Sequence, residues 1–208
     1  LSCAVVSIPS FISNQELPKI LMYSIPFVLL ILFSQVIATD MKTTFKDMAY
    51  TLLGICYIPT FLMFLTMIDK MQNGKILLGY IFIASWGTDV FAYCIGKRFG
   101  KHKFSKVSPK KSIEGCIAGT IGATILALIY TLILNKGFSF EYSYIIVGIL
   151  GIVLSLIGQL GDFSASCIKR YVDIKDYSNL LPGHGGMLDR IDSVLFIAPF
   201  AYMLFTMI

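Results

Sequence analysis

The residues able to do chemistry crowd into the last third of the chain. Asp162, Ser166 and the pair Lys169 and Arg170 follow one another at spacings of four and three to four residues. A continuing helix puts them on one face. An acid, a hydroxyl and a cation on one stripe suit a metal and a phosphate together. Beyond Lys175 and Asp176 comes Leu181-Pro182-Gly183-His184-Gly185-Gly186, then Met187-Leu188-Asp189-Arg190-Ile191-Asp192. Glycines at 183, 185 and 186 let main-chain N–H groups approach a ligand closely. A helix starting near Met187 turns its positive end to that loop, a ready anion site. Asp189 and Asp192, three apart, can face one cavity. Upstream stand Asp89 and the run Ser108-Pro109-Lys110-Lys111, in which Ser and Pro suit a helix N-cap and first turn.

Singly, several of these have plain structural readings. Asp89 could be a buried acid satisfied by Thr88, Tyr93 or Gln159. Lys169 and Arg170 could be anchors at a span's end, and the 97–114 loop a basic patch on an anionic leaflet. His102 reads as a surface residue. The loop with His184, its glycines, Arg190 and two aspartates is poorly explained as a connector. As a set, the carboxylates can hold a divalent metal and the cations can neutralise a polyphosphate. The set is not a zinc site, because no Cys or second His accompanies His184.

What must position these groups is a membrane bundle. Hydrophobic residues make up 56% of the 208 and charged residues 14%, against about 25% charged in a soluble domain. Mean hydropathy is +0.78. This excludes a soluble globular enzyme, a disordered tail and a nucleic-acid-binding module. Five scattered cysteines, with no CxxC pair, make no disulfide framework. Apolar runs long enough to cross the hydrocarbon core fall at about 20–38, 48–68, 76–96, 115–134, 144–166 and 193–208. A shorter run at 1–12 reads as the tail of another span, and a start at Leu1 points to chain upstream. The expected fold is all-α: a polytopic integral membrane helical bundle of six spans plus a truncated N-terminal one. It forms a single domain over 1–208, its catalytic half at about 76–192.

If all six runs span, the loops at 40–47, 97–114 and 167–191 share a side and carry thirteen of the seventeen Lys and Arg. That side is cytoplasmic by the positive-inside rule, and every motif above opens onto it. Pro26, Pro59 and Pro199 should bend their helices. Gly115, Gly119 and Gly122 form a small-residue face for close helix packing. Asp89 and Asp162 lie inside their spans, where an ionisable residue marks a polar cavity. From the residues alone, the reading is phosphoryl or nucleotidyl transfer at a membrane, with magnesium and a lipid substrate.

The run Ser166-x-Ile-Lys-Arg-x4-Lys175-Asp176-x-Ser178-x2-Leu181-Pro182-x-His184-Gly-Gly-Met-x-Asp189-Arg190-Ile-Asp192 resembles the signature of the phosphatidate cytidylyltransferases, or CDP-diacylglycerol synthases. Asp89-Val-Phe-Ala-Tyr93, Gly96-Lys-Arg-Phe-Gly100 and Ser108-Pro-Lys-Lys-Ser-Ile-Glu-Gly115 are similar to further family segments. The likeness covers about 76–192. Ala165 departs from it, since many members carry Glu there.

The resemblance implies that CTP and phosphatidate give CDP-diacylglycerol and pyrophosphate, in phospholipid biosynthesis. It implies Mg2+ with a second cation such as K+, held by Asp162 and Asp189, with Asp192 next to them. Lys169, Arg170, Lys175 and Arg190 would neutralise the triphosphate and the lipid phosphate. His184, Gly185 and Gly186 would shape the nucleotide site, and Ser108, Lys110 and Lys111 would close it. Asp89 and Ser166 join the substrate-binding set. The implied setting is a bacterial inner membrane with the site facing the cytoplasm; the implied partners are the bilayer and a second copy of the chain. Two rivals stand: a CTP-dependent lipid kinase, which would release CDP, and a transporter whose buried aspartates carry protons or cations.

Overall fold

The computed structural model describes residues 17–40, 42–103, 108, 111–138, 140–178 and 186–207, with side chains from Tyr23. The apolar run at 1–12, Pro109, Lys110, and the loop positions from Leu181 through His184 to Gly185 lie outside the described residues. Every regular element described is helical. The helices are α1 (Leu17–Ala38), α2 (Phe45–Asp69), α3 (Gly74–Phe82), α4 (Thr88–Phe99), α5 (Ile113–Gly137), α6 (Tyr144–Tyr171) and α7 (Leu188–Met207). A π-helical turn over Ile83–Gly87 joins α3 to α4 without a break.

Five helices are long and apolar enough to cross a membrane: Phe45–Asp69, Gly74–Phe99 as one unit, Ile113–Gly137, Tyr144–Tyr171 and Leu188–Met207. The protein is an integral membrane protein by this measure. Its described part of α1, Tyr23–Ala38, is apolar but shorter.

The chain divides into two compact units, 1–72 and 73–208. In the first, α2 starts with a capping box. Asp47 accepts from the Thr44 backbone N–H at 2.9 Å, and the Asp47 N–H donates to Thr44 Oγ1 at 3.3 Å. Its Pro59, like Pro26 in α1 and Pro199 in α7, lies inside a helix.

The second unit holds α3 to α7, and glycine sets its tightest crossings. The expected small-residue face of α5 packs on α4. A Cβ added at Gly115 would stand 2.8 Å from the Ala92 carbonyl oxygen, one at Gly119 2.8 Å from that of Thr88, and one at Gly122 inside the Phe91 ring. On α6, a Cβ at Gly158 would come within 2.8 Å of Ile197, and one at Gly161 within 2.6 Å of Phe196. Backbones that close leave room for no larger residue.

Between these helices runs a polar seam. Thr88 Oγ1 and Ser155 Oγ are 2.6 Å apart, Ser155 Oγ donates to Thr120 Oγ1 at 3.3 Å, and Gln159 Nε2 donates to Thr120 Oγ1 at 2.9 Å. In hydrocarbon each such group must find its partner within the protein. The opposite face of α5 repeats Ile117, Ile121, Ile125 and Ile129 at every fourth position, each half exposed.

Candidate active site

The α5–α4 and α6–α7 crossings bring four elements to one end of the second unit. From α4 comes Asp89, two residues past the π turn. It lines a cleft of about 280 Å³ with Tyr93, Ser108, Lys111, Cys116 and Gln159. Thr88 and Gln159, both possible partners for Asp89 from sequence, are instead engaged with each other's neighbours in the polar seam.

Lys111 enters the site just before α5. That helix begins at Ile113, with Ser112 as its N-cap; the Ser112 hydroxyl accepts from the Gly115 N–H at 3.2 Å. The expected cap at Ser108 is therefore displaced by four residues. Ser108 closes a turn instead, its carbonyl accepting from the Lys111 N–H at 3.1 Å. The loop is stapled a second time where His102 meets Glu114 at 2.6 Å and the Ile113 N–H donates to the His102 carbonyl at 3.0 Å. His102 is otherwise exposed, as expected. Held this way, the Lys111 ammonium forms an ion pair with Asp162 of α6 and lies 4.6 Å over the Phe163 ring.

The helix α6 continues to Tyr171, so Asp162, Ser166, Lys169 and Arg170 share one uninterrupted element. Asp162 is the centre of the acidic set. It lies within electrostatic reach of Asp89 and of Asp192, and Asp192 also feels Lys169. Asp192 is buried, its Oδ1 accepting from the Ser193 N–H at 2.8 Å.

Lys169 in turn reaches α7, its Nζ 2.6 Å from Asp189 Oδ1. The other oxygen, Asp189 Oδ2, accepts from the backbone N–H groups of Tyr177 and Gly186, each at 2.9 Å. Gly186 cannot be replaced here without conflict, since a Cβ would stand 2.7 Å from Ser178 Oγ. Asp189, at the start of α7, thus gathers the 172–178 loop and Gly186 around itself. Arg170, Lys175 and Arg190 are exposed at the same end.

Tyr177 is a site residue that sequence reasoning missed. Its hydroxyl donates to the Ala165 carbonyl at 3.2 Å, and the Lys169 ammonium sits 5.2 Å over its ring. Burial, and then the charges of Asp192 and Asp189, push its phenol up to about 12. It is therefore a fixed neutral donor. Its only trace in the sequence is its place between Asp176 and Ser178.

The result is a set of four acids interleaved with two cations: Asp89, Lys111, Asp162, then Asp192, Lys169 and Asp189. Oxygen ligands alone suit a hard cation such as Mg2+. Asp162 fits best, because Lys111 engages only one of its oxygens and the charges of Asp89 and Asp192 reach it. Asp189 fits less openly, with both oxygens already hydrogen-bonded. Among the described residues, no three His, Cys, Asp or Glu side chains stand close enough to bind one ion.

Fold and site together define a helical membrane protein with a charged site at one end of its spans. Residues 1–208 match the model of the cytidylyltransferase family, and the chain belongs to that family. It is 37% identical over 180 residues to the phosphatidate cytidylyltransferase of Bacillus subtilis, a match covering 86% of this chain and 65% of that protein. The phosphatidate cytidylyltransferase of Staphylococcus haemolyticus is 33% identical over 190 residues, 91% of this chain and 69% of that protein. That of Staphylococcus aureus (strain COL) is 37% identical over 171 residues, 81% of this chain and 63% of the relative. The chain thus spans about two thirds of the length of these relatives.

Proposed function

We propose that the protein is a membrane nucleotidyltransferase that makes CDP-diacylglycerol and pyrophosphate from CTP and phosphatidate. The reading rests on family membership along the whole chain, beside relatives that bear the name phosphatidate cytidylyltransferase. In this reaction a phosphate oxygen of the lipid bonds to the α-phosphorus of CTP. The bond from that phosphorus to the bridging oxygen breaks, and pyrophosphate leaves with the electron pair. Such a step needs positioning and neutralised charge more than covalent help.

In this reading Lys111, Lys169, Arg170, Lys175 and Arg190 neutralise the triphosphate and the lipid phosphate, together with Lys110. Asp89, Ser108 and Ser166 line the substrate side, with His184, Gly185 and Gly186 at the nucleotide. Asp162 and Asp189 would hold Mg2+, and a second cation such as K+, with Asp192 beside them. A bound divalent ion would withdraw charge from the phosphates. Tyr177 keeps Lys169 and Asp189 in register.

The same reading carries six spans plus a truncated N-terminal one, a bacterial inner membrane, a cytoplasm-facing site, 76–192 as the catalytic half and a homodimer. Cysteine-accessibility labelling of the loops at 40–47 and 97–114 tests the orientation. Mass photometry in nanodiscs tests the dimer.

The deciding experiment uses the full chain in detergent with labelled CTP, phosphatidate and Mg2+. CDP-diacylglycerol and pyrophosphate in equal amounts are expected, with loss on chelation of the metal. CDP as the product would move the chain to the lipid kinases. No CTP turnover by folded protein would favour ion transport.

A further inference from the structure

Beside the charged cleft lies a second cavity of about 530 Å³, a groove between α5 and α6. Its walls are Ile117 and Ile121 from α5 and Leu156, Leu160 and Phe163 from α6. We propose that this groove is the bed for one acyl chain of the phosphate-bearing lipid substrate; the identity of the headgroup rests on the nucleotidyl-transfer reading above.

Three observations carry it. First, groove and cleft adjoin: Cys116 and Gln159 line both. A molecule with an anionic end and an apolar end fits the pair and fits neither alone. Second, the polarity runs the right way. Lys111, over the Phe163 ring at 4.6 Å, stands where the groove meets the cleft, while Ile121 and Leu156 lie at the deep end. From Ile113 to Ile121 the groove runs about 12 Å along α5 at 1.5 Å per residue. That is most of one leaflet's hydrocarbon depth, roughly 15 Å. Third, the polar floor is satisfied from within. Gln159 Nε2 donates to Thr120 Oγ1 at 2.9 Å and to the Cys116 carbonyl at 3.2 Å, so its donors are met within the bundle. The groove therefore accepts methylenes without stranding the Gln159 amide N–H groups. The isoleucine stripe farther along α5 has no such link to a charged cleft.

The test uses the full wild-type chain in nanodiscs and phosphatidate carrying a diazirine in mid-chain. Adducts are expected on Ile117, Ile121, Leu156 or Leu160, suppressed by excess unlabelled phosphatidate and not by phosphatidylcholine. Adducts spread evenly over the outer faces, Ile129 and Ile149 included, and indifferent to competitor would overturn the proposal. In a second arm, Ile117→Trp and Leu160→Trp fill the groove. The KM for dioleoyl phosphatidate should rise about tenfold, the cost of roughly two lost methylene contacts, with dihexanoyl phosphatidate and CTP unaffected. Equal losses on both lipids, or no change on either, would also overturn it. If the wild-type chain turns over CTP with neither lipid, the nucleotidyl-transfer reading fails, and the cross-link pattern alone decides the groove.

Discussion

Lys169 and Asp189 stand 2.6 Å apart across the ends of α6 and α7, twenty residues apart in sequence and joined by the most chemistry-rich loop of the chain. Their pairing fixes one carboxylate oxygen, while the N–H groups of Tyr177 and Gly186 fix the other. One side chain thereby holds a helix, a loop and its own helix start. Asp189→Ala should leave the protein in the membrane yet lower CTP turnover by about 10²–10³-fold. Hydrogen exchange at the amides of Tyr177 and Gly186 should quicken with it. Near-wild-type turnover would remove Asp189 from the site.

Lys111→Ala deprives Asp162 of its ion-pair partner in the middle of the acidic set. A loss of about 100-fold or more in kcat/KM is expected, because an acid left unpaired there repels both Asp89 and Asp192. Lys42→Ala, in the 40–47 loop, should stay within about twofold, as a topology anchor would. Equal effects from the two substitutions would show that only bulk positive charge matters.

Gly119→Leu forces α4 and α5 apart where the backbone of Thr88 passes. Overpacking of this kind costs about 1–3 kcal/mol, so thermal unfolding in detergent should start several degrees lower. Turnover should fall with it, as Asp89 moves with α4. Gly148→Ala is the control, having no atom within 4 Å of an added Cβ. An unchanged melting curve for Gly119→Leu would contradict the packing described.

Tyr177→Phe removes one hydroxyl and its bond to Ala165. The native phenol ionises near 12, above the value of about 10 for a free tyrosine. The stabilisation that comes with the neutral hydroxyl is thus complete below pH 10 and is lost as pH climbs from 10 towards 12. The melting-temperature gap between wild type and Tyr177→Phe should be constant up to about pH 10 and shrink above it. A gap that widens with pH would reverse the sign and sink the assignment.

The apolar runs beyond 45 match the described helices because a helix that crosses hydrocarbon leaves a long uncharged run of the right length. The stripe of Asp162, Ser166 and Lys169 was equally legible, since it depends only on α6 continuing. Other features lay beyond pattern reading. The partner of Lys111 is 51 residues away, and only the crossing of α5 with α6 names it. The cap of α5 shifted from Ser108 to Ser112 because the staple between His102 and Glu114 sets where the loop returns. Tyr177 was invisible because it lies in a short loop, with neither periodicity nor a motif position to mark it. The third span reads as one apolar run, and nothing in its hydropathy betrays the π turn inside it.

That π turn gives the third span a register it would not otherwise have. It absorbs one more residue than an α-helix of the same rise, and each helical residue turns the chain by about 100°. Were the segment to relax to α-helix at its present length, Asp89 would swing by about that angle, away from the cleft, whereas loss of one residue within 83–87 would let it relax with Asp89 kept in place. In this stretch the count of residues carries an instruction of its own, beside the identities of the buried Ala84, Ser85 and Gly87. Gene variants that gain a codon there should be far scarcer than those that lose one.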